Sequence, residues 1–392
     1  MRILAAFDKC KDSLTAREIC SLAKQTILEI SPSTSVDTLP ITDGGEGFAE
    51  FLTDHKDGKF HDFWVKDSIG REKKVVIGII DPSNLDSAVF RLLGLPMNEK
   101  IAVIEMSSVV GLSDLKTEER NPWKTSTFGV GQLLAKAAGY GVGGIILGIG
   151  GSSTNDIGLG ALSSLGVKLL NDNGQNILLP TPDTWCDINN VLTNELLPLP
   201  PIRIACDVSN PLTGKDGATF QFGAQKGLAP EDKDKMEGNI VTMSKSLSLA
   251  FNKSLDFQNK PGAGAAGGIG YGLSLAYNVQ FIPGFSLVKN WFDLEEKIKQ
   301  ADIILTGEGR FDKTSLYGKG PYEIIQMASE FEKKIILLAG SVDFEVVSRL
   351  HSDFSNLKAV SFSKESLELS ENLARAPEFF KEKLRETLFF LK

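Results

Sequence analysis

Short apolar runs recur along the chain, each followed by a polar or glycine-rich loop and then by apolar positions at helical spacing. Ile3 to Phe7 is the first such run and reads as a buried parallel strand. Beyond the polar stretch Asp8 to Ser13, the positions Leu14, Ile19, Leu22, Ala23, Thr26 and Ile27 fall on one face of a helix. Ser35 to Leu39 predicts a second strand, and Asp43-Gly44-Gly45-Glu46-Gly47 leads from it into a helix through Phe48, Phe51 and Leu52. Two successive strand–loop–helix units predict a Rossmann-like half with its sites at the C-terminal ends of the strands.

The rhythm changes between Phe60 and Arg91. Phe63-Trp64-Val65, Val75 to Ile80 and Ala88 to Leu92 read as closely spaced strands, which predicts antiparallel or mixed sheet. Alternation then returns with a strand at Ala102 to Met106, a helix through Leu133, Leu134 and Ala137, and a strand at Gly144 to Ile149. A helix over Gly160 to Leu170 and a strand at Ile202 to Cys206 follow, and Pro230 to Lys260 reads as a polar surface helix and connection. After Pro283-Gly284 come a strand at Ala301 to Thr306, a helix at Tyr322 to Glu332, and strands at Lys334 to Ala339 and Leu357 to Ser361. The simplest topology is α/β throughout. Residues 1–60 and 285–392 form a Rossmann-like parallel-sheet domain, and 61–284 are an inserted mixed-sheet α/β domain.

Composition narrows the function. The 392 residues carry 42 basic and 50 acidic side chains, a net charge of −8 that argues against a nucleic-acid footprint or a polybasic membrane surface. No run approaches the ~18 apolar residues of a membrane helix, and the apolar start is too short for a signal-peptide core. Four cysteines without a C-x-x-C pair and three scattered histidines suggest neither a disulfide framework nor a zinc site. A cytoplasmic protein is expected. The 38 glycines, about a tenth of the chain, follow no collagen-like period and call for a local explanation.

That explanation lies in the loops. Gly148-Ile149-Gly150-Gly151-Ser152-Ser153-Thr154-Asn155-Asp156 follows an apolar strand, so its backbone can approach an anion closely and its N–H groups can cradle one. A strand-to-helix turn is the plainer reading of the same segment. Pro261 to Gly270 contains a literal G-x-G-x-x-G, but the preceding Asp256 to Pro261 is no buried strand, which disfavours a nicotinamide site. A phosphate contact or close helix packing remains for it. Thr306-Gly307-Glu308-Gly309-Arg310-Phe311-Asp312 ends another buried strand and gathers two carboxylates and a guanidinium. Asp8, Asp43 and Asp207 also stand at strand ends, where each alone is equally a turn or cap. Taken together with Lys11, they read as a cleft for an anion and a metal, the parts phosphoryl transfer needs. Neither a P-loop nor a protein-kinase motif set is present.

As a set, these motifs resemble the type I glycerate kinases of bacteria, the family that includes glycerate 2-kinase. The matching stretches are Asp8 to Leu14, Asp43 to Gly47, Asp67 to Arg71, Glu119-Arg120-Asn121-Pro122 and Gly148 to Asp156. Ala205 to Pro211, Phe222 to Gly227, Pro261 to Gly268, Thr306 to Asp312 and Gly318-Lys319 complete the order. Ten stretches in family order, spread from end to end, make the resemblance specific although no single one decides it. It implies Mg²⁺-dependent transfer of the ATP γ-phosphoryl to the 2-hydroxyl of D-glycerate. It also implies two α/β domains with the active site in the cleft between them. The 3-hydroxyl or another small hydroxy acid is the alternative acceptor. A non-catalytic ligand-binding protein and a hydroxy-acid oxidoreductase are the rival classes, and monomer and homodimer both stay open.

The expected roles follow from motif and residue type. Gly148, Gly150, Gly151, Ser152, Ser153 and Asn155, with Gly262, Gly264, Gly267 and Gly268, hold the ATP phosphates. Lys11 and Arg310 bind the glycerate carboxylate or the moving phosphoryl. Asp43, Asp156, Asp207, Glu308 and Asp312 supply the metal ligand and the group that orients the hydroxyl, with Asp207 and Glu308 expected at Mg²⁺. Phe7, Cys10, Ile157, Thr314, Tyr317 and Gly320 depart from the usual family residues and bear on substrate preference.

Overall fold

The computed structural model describes residues 1–42, 44–316 and 318–389, and the chain divides into two compact units, Met1–Asp43 with Phe285–Lys392 and Gly44–Gly284. Each unit is α/β and carries its own sheet. Asp43 and Tyr317 lie outside the described residues.

The first unit is built on a five-stranded, wholly parallel sheet. Its spatial order is Leu357–Ser361, Lys334–Ala339, Ile303–Gly307, Arg2–Phe7, Ser35–Thr38. The first strand of the chain is therefore interior, paired on one side with a strand 300 residues away. Period-two alternation sends Ile3, Ala5, Phe7, Ile303, Leu305, Ile336 and Leu338 into one core, where the Phe7 ring meets Phe380 edge-on at 5.5 Å. Two helices cover that face, Ala16–Ile30 and Ala376–Leu388. The first begins at a capping box in which the Thr15 hydroxyl accepts from the Glu18 N–H and the Glu18 carboxylate accepts from the Thr15 N–H. Helix Gly320–Glu330 packs against Ile303–Gly307 and Lys334–Ala339.

The second unit holds a six-stranded mixed sheet in the order Val279–Ile282, Ile202–Ala205, Gly144–Gly148, Ile101–Glu105, Glu72–Ile80, Lys59–Lys66. The first four strands are parallel and the last two are antiparallel additions. The parallel strands end in register, with Glu105 opposite Gly148, Gly148 opposite Ala205, and Ala205 opposite Ile282. Four loops thus emerge along one edge, as an open parallel sheet requires.

Three expectations need correction. Ala88 to Leu92 is not a strand: Ser87–Leu93 is an α-helix that buries Val89, Phe90 and Leu93 and ends at Gly94 in the left-handed conformation, φ 54°. A five-residue apolar run does not distinguish the two, whereas the i, i+1, i+4 burial and the glycine after it do. The helix expected over Gly160 to Leu170 is short, Leu159–Ser164; Gly166 at φ 110° breaks it, and Lys168–Leu170 pairs with Asn190–Leu192. The third concerns the boundary placed after residue 60, because the units divide between 43 and 44. Helix Phe48–His55 packs on Glu72–Ile80 and Ile101–Glu105, and Gly78 leaves the room that the Thr53 side chain fills.

Candidate active site

In the first unit, the loops after the two central strands meet. Asp8 and Glu308 each follow a strand end, Phe7 being registered opposite Gly307, and the Asp8 N–H donates to the Gly307 carbonyl at 2.9 Å. Gly309 lies against the Cys10–Lys11 backbone so closely that a Cβ there would stand 3.1 Å from Cys10 Cα. A side chain at 309 would push the two acidic loops apart. Cys10 is buried, and its thiol is pushed up to about 12 by burial first, with the Asp8 and Glu308 charges adding to it.

Glu308 is 6 % exposed. Lys319 Nζ donates to its Oε2 at 3.2 Å, while Oε1 is buried with no hydrogen-bond partner among the described residues. Burial raises the Glu308 pKa, the neighbouring Ser315 hydroxyl and the Lys319 ammonium draw it back down, and the Asp312 charge adds to the rise. Asp312 behaves oppositely. The Thr314 hydroxyl and N–H both donate to its Oδ1, at 2.7 and 2.8 Å, and its pKa is lowered mainly by that hydroxyl. Arg310, largely exposed, pairs with Asp312 Oδ2 at 3.2 Å, and Lys11 is exposed on its loop. The structure thus gathers Lys11 and Glu308 on adjoining strand-end loops of one sheet, with Arg310 on the short strand Arg310–Phe311 just beyond, Asp312 after it and Lys319 added.

In the second unit, the Gly148 loop is enclosed from several sides. The Gly150 N–H donates to the Gly44 carbonyl at 3.0 Å, and Gly150 lies against Gly45 with no room for a Cβ. Ser153 is buried, its N–H and hydroxyl both donating to the Val110 carbonyl, at 2.9 and 2.8 Å. Gly151, at φ 72°, is exposed at the tip, and Ser152 is buried beside it. Asn155 is wholly buried, and neither its Oδ1 nor its Nδ2 has a partner among the described residues.

Asp156 does not stand where a substrate could reach it. It is wholly buried, and its carboxylate accepts from the Thr127 N–H (2.7 Å), the Thr127 hydroxyl (2.8 Å), the Gly158 N–H (3.2 Å) and the Gly160 N–H (3.1 Å). Burial raises its pKa against those bonds. Asp156 holds the loop from inside. Asp207, by contrast, is exposed on the loop after Ile202–Ala205.

The glycines at 262–268 also differ from the expectation of a phosphate cradle. A Cβ at Gly264 would stand 2.0 Å from the Pro211 carbonyl oxygen, one at Gly267 2.1 Å from the Thr154 oxygen, and one at Gly268 3.0 Å from Ile157 Cα. The Gly264 and Gly268 N–H groups are already bonded to the Asn210 and Ala265 carbonyls. Close backbone packing accounts for these three, while Gly262 touches Phe281 and the Val208 carbonyl. The segment before them, Leu255–Asn259, is a 3₁₀ turn and not a strand, as the sequence indicates.

Sequence reading missed Glu105, Ser107 and Lys226 as members of this neighbourhood. Glu105 ends its strand opposite Gly148, is buried, and accepts from the Ser107 hydroxyl at 2.6 Å and from the Ala49 N–H at 3.3 Å. Its signal was its place as an acid closing an apolar run. Other motif stretches meet here as well: Arg71 pairs with Asp67 at 2.6 Å and Glu119 at 3.0 Å, and Gly227 lies against the Arg120 carbonyl.

Among the described residues no group of three or more His, Cys, Asp or Glu side chains is arranged to hold a metal. Magnesium does not require one, since it takes one or two carboxylates and fills its shell with phosphate oxygens and water. Within the first unit, the adjoining Asp8 and Glu308 with the partnerless Glu308 oxygen fit such a demand; in the second, Asp207 stands on an exposed loop. No described helix is long and apolar enough to cross a membrane.

Comparison with known proteins places the chain in a family. A family model for the glycerate kinase family matches residues 3–391. Similar curated proteins include a glycerate kinase of Haemophilus influenzae, 34% identical over 355 residues that span 88% of each chain. Glycerate 2-kinase of Escherichia coli K12 is 34% identical over 348 residues, 88% of this chain and 87% of that one. A crystal structure from Salmonella typhimurium LT2, assigned as glycerate kinase 2, has a TM-score of 0.74 at 30% identity and is covered over 98% of its length by the whole of this chain.

Proposed function

The chain belongs to the glycerate kinase family and is a phosphotransferase, and from that premise we propose that it transfers the γ-phosphoryl of ATP to the 2-hydroxyl of D-glycerate with Mg²⁺. The product is 2-phosphoglycerate with ADP. The observation that carries the residue assignment is Glu308, a buried strand-end carboxylate with one partnerless oxygen and a lysine on the other.

Its raised pKa suits a group that takes a proton from the hydroxyl as that oxygen bonds to the γ-phosphorus. The bond to the β,γ-bridging oxygen breaks in the same displacement, and its electron pair leaves with ADP. Lys319 holds Glu308 in place and keeps its anion accessible. Lys11 and Arg310 bind the glycerate carboxylate or the transferring phosphoryl, Arg310 in a plane set by Asp312. Asp43 stays a candidate on the strength of its motif alone. Of the Gly148 loop, the exposed tip at Gly151 with Ser152 beside it takes the ATP phosphates, while Gly148, Gly150, Ser153 and the buried Asn155 shape the loop behind it, with Gly262 at the edge of that set. Glu308 already carries Lys319, so Asp207 is the better residue to hold Mg²⁺, whose charge would offset that of the phosphate oxygens.

A coupled ADP-release assay with D-glycerate, L-glycerate, glycerol and other hydroxy acids tests the activity, and ³¹P NMR of the product tests the position. ADP release with D-glycerate and a 2-phosphoglycerate spectrum are expected. A 3-phosphoglycerate spectrum would move the acceptor to the other hydroxyl, and silence with every acid despite ATP binding would sink the catalytic reading. Glu308→Gln should lower kcat by about a hundredfold or more, the scale of a lost general base.

A further inference from the structure

Lys226 is 2 % exposed, and its Nζ donates to the main-chain carbonyl of Thr154 at 2.6 Å. An ammonium in a protein interior is costly, and a methionine would fill the same volume without that cost. The position therefore asks what this buried Nζ donor does. Thr154 belongs to the loop after strand Gly144–Gly148, and two residues on, Asp156 is tied to Thr127, Gly158 and Gly160 by four hydrogen bonds. Gly267 closes on the same Thr154 oxygen and on Asn155 Cα from another side. Between these anchors sits Asn155, its amide buried and without a partner among the described residues.

The peptide plane makes this specific. In a trans peptide the N–H points opposite to the preceding C=O, so an Nζ–H that holds the Thr154 carbonyl fixes the Asn155 N–H in the direction away from Lys226. Asp156 anchors the residue after it. The Thr154–Asn155 peptide cannot turn over without breaking the Lys226 bond, and the unpaired Asn155 amide is carried on that peptide.

We propose that Lys226 is a positioning residue that sets the Thr154–Asn155 peptide at the buried base of the Gly148 loop, and through it the exposed tip at Gly151 that binds the ATP phosphates. This rests on the kinase reading of the same loop. Lys226 itself touches no substrate; it acts through one carbonyl.

The test compares the full-length wild type with Lys226→Met and Lys226→Arg by steady-state kinetics, thermal unfolding and amide hydrogen exchange over residues 150–156. The methionine variant should keep or raise Tm, raise KM for ATP on the order of tenfold to a hundredfold, leave KM for glycerate within about twofold, and speed exchange in the loop. The arginine variant, which restores a charged donor, should recover part of the ATP affinity. Wild-type KM for ATP together with wild-type loop exchange in Lys226→Met would overturn the proposal. So would a fall in Tm matched by equal losses toward both substrates, because that is a packing role. Should Lys226→Met fail to fold, the arginine variant decides: slowed loop exchange and a lower KM for ATP relative to Lys226→Gln support the strut, and no difference removes it. The kinase reading fails separately, through absence of ADP release from the wild type, and the exchange comparison still reports on the loop.

Discussion

At the scale of single residues, two buried charges give pH-dependent signatures of opposite origin. Burial draws the Lys226 pKa from 10.5 down to about 7, with the Asp156 charge opposing the drop. Between about pH 7 and 10.5 the unfolded chain holds a proton on this lysine that the folded chain does not, so folding becomes more favourable as pH rises across that window. Below about pH 7 both states are protonated and the contribution stays at its lower level. Lys226→Met removes the slope. The difference in Tm, variant minus wild type, should therefore be largest near pH 6 and shrink toward pH 10, and a difference that grows with pH contradicts the burial argument. Lys319 acts on Glu308 in the other direction: its ammonium holds down a carboxyl that burial has raised. In Lys319→Met the acid limb of the kcat/KM profile should move to higher pH, because Glu308 then stays protonated further up the scale. An unmoved limb would take Glu308 out of the proton-transfer role.

At the scale of elements, the glycines separate into those that make room and those that merely lower stability. Gly267 has φ 72° and a Cβ there would stand 2.1 Å from the Thr154 oxygen, so Gly267→Ala should cost roughly 2–4 kcal/mol from left-handed strain and overlap together. Gly238 lies exposed inside helix Lys233–Ala250 with nothing within 4 Å of its Cβ position, and Gly238→Ala should instead stabilise by about 0.5–1 kcal/mol. Urea unfolding of both variants checks the pair. A phosphate-binding role for Gly267 would show as a higher KM for ATP at unchanged stability. These cases also mark what the sequence could carry. Parallel strands such as Ile303–Gly307 and Lys334–Ala339 were legible because both faces are buried and the run is continuously apolar. The helix Ser87–Leu93 was not, since its composition suits a buried strand and its cap lies outside the run. Site residues at strand ends were legible as a class. Residue type could not separate Asp156, spent on four internal hydrogen bonds, from Asp207 on an exposed loop. Lys226 escaped notice because sequence presents any lysine as a surface residue.

At the scale of the whole chain, the connectivity itself makes a prediction. The unit Gly44–Gly284 is continuous in sequence and contains all six strands of its sheet together with their core. The other unit is assembled from both ends of the chain, and its interior strand Arg2–Phe7 hydrogen-bonds to Ile303–Gly307 on one side and Ser35–Thr38 on the other. Residues 285–392 alone would lack that strand, the helix Ala16–Ile30 and the Phe7 ring that meets Phe380. They would expose the apolar Ile303–Gly307 edge, a template for aggregation. Residues 44–284 expressed alone should therefore unfold cooperatively in urea, whereas 285–392 alone should show no cooperative transition and associate. Joining residues 1–43 to 285–392 through a flexible glycine–serine linker should restore a cooperative transition, because linker length adds only slowly to the entropy of closing the sheet. Cooperative unfolding of 285–392 by itself would mean that the strand from the chain's start is an accessory to this unit, and the account of its core given by Ile3, Ala5 and Phe7 would have to be abandoned.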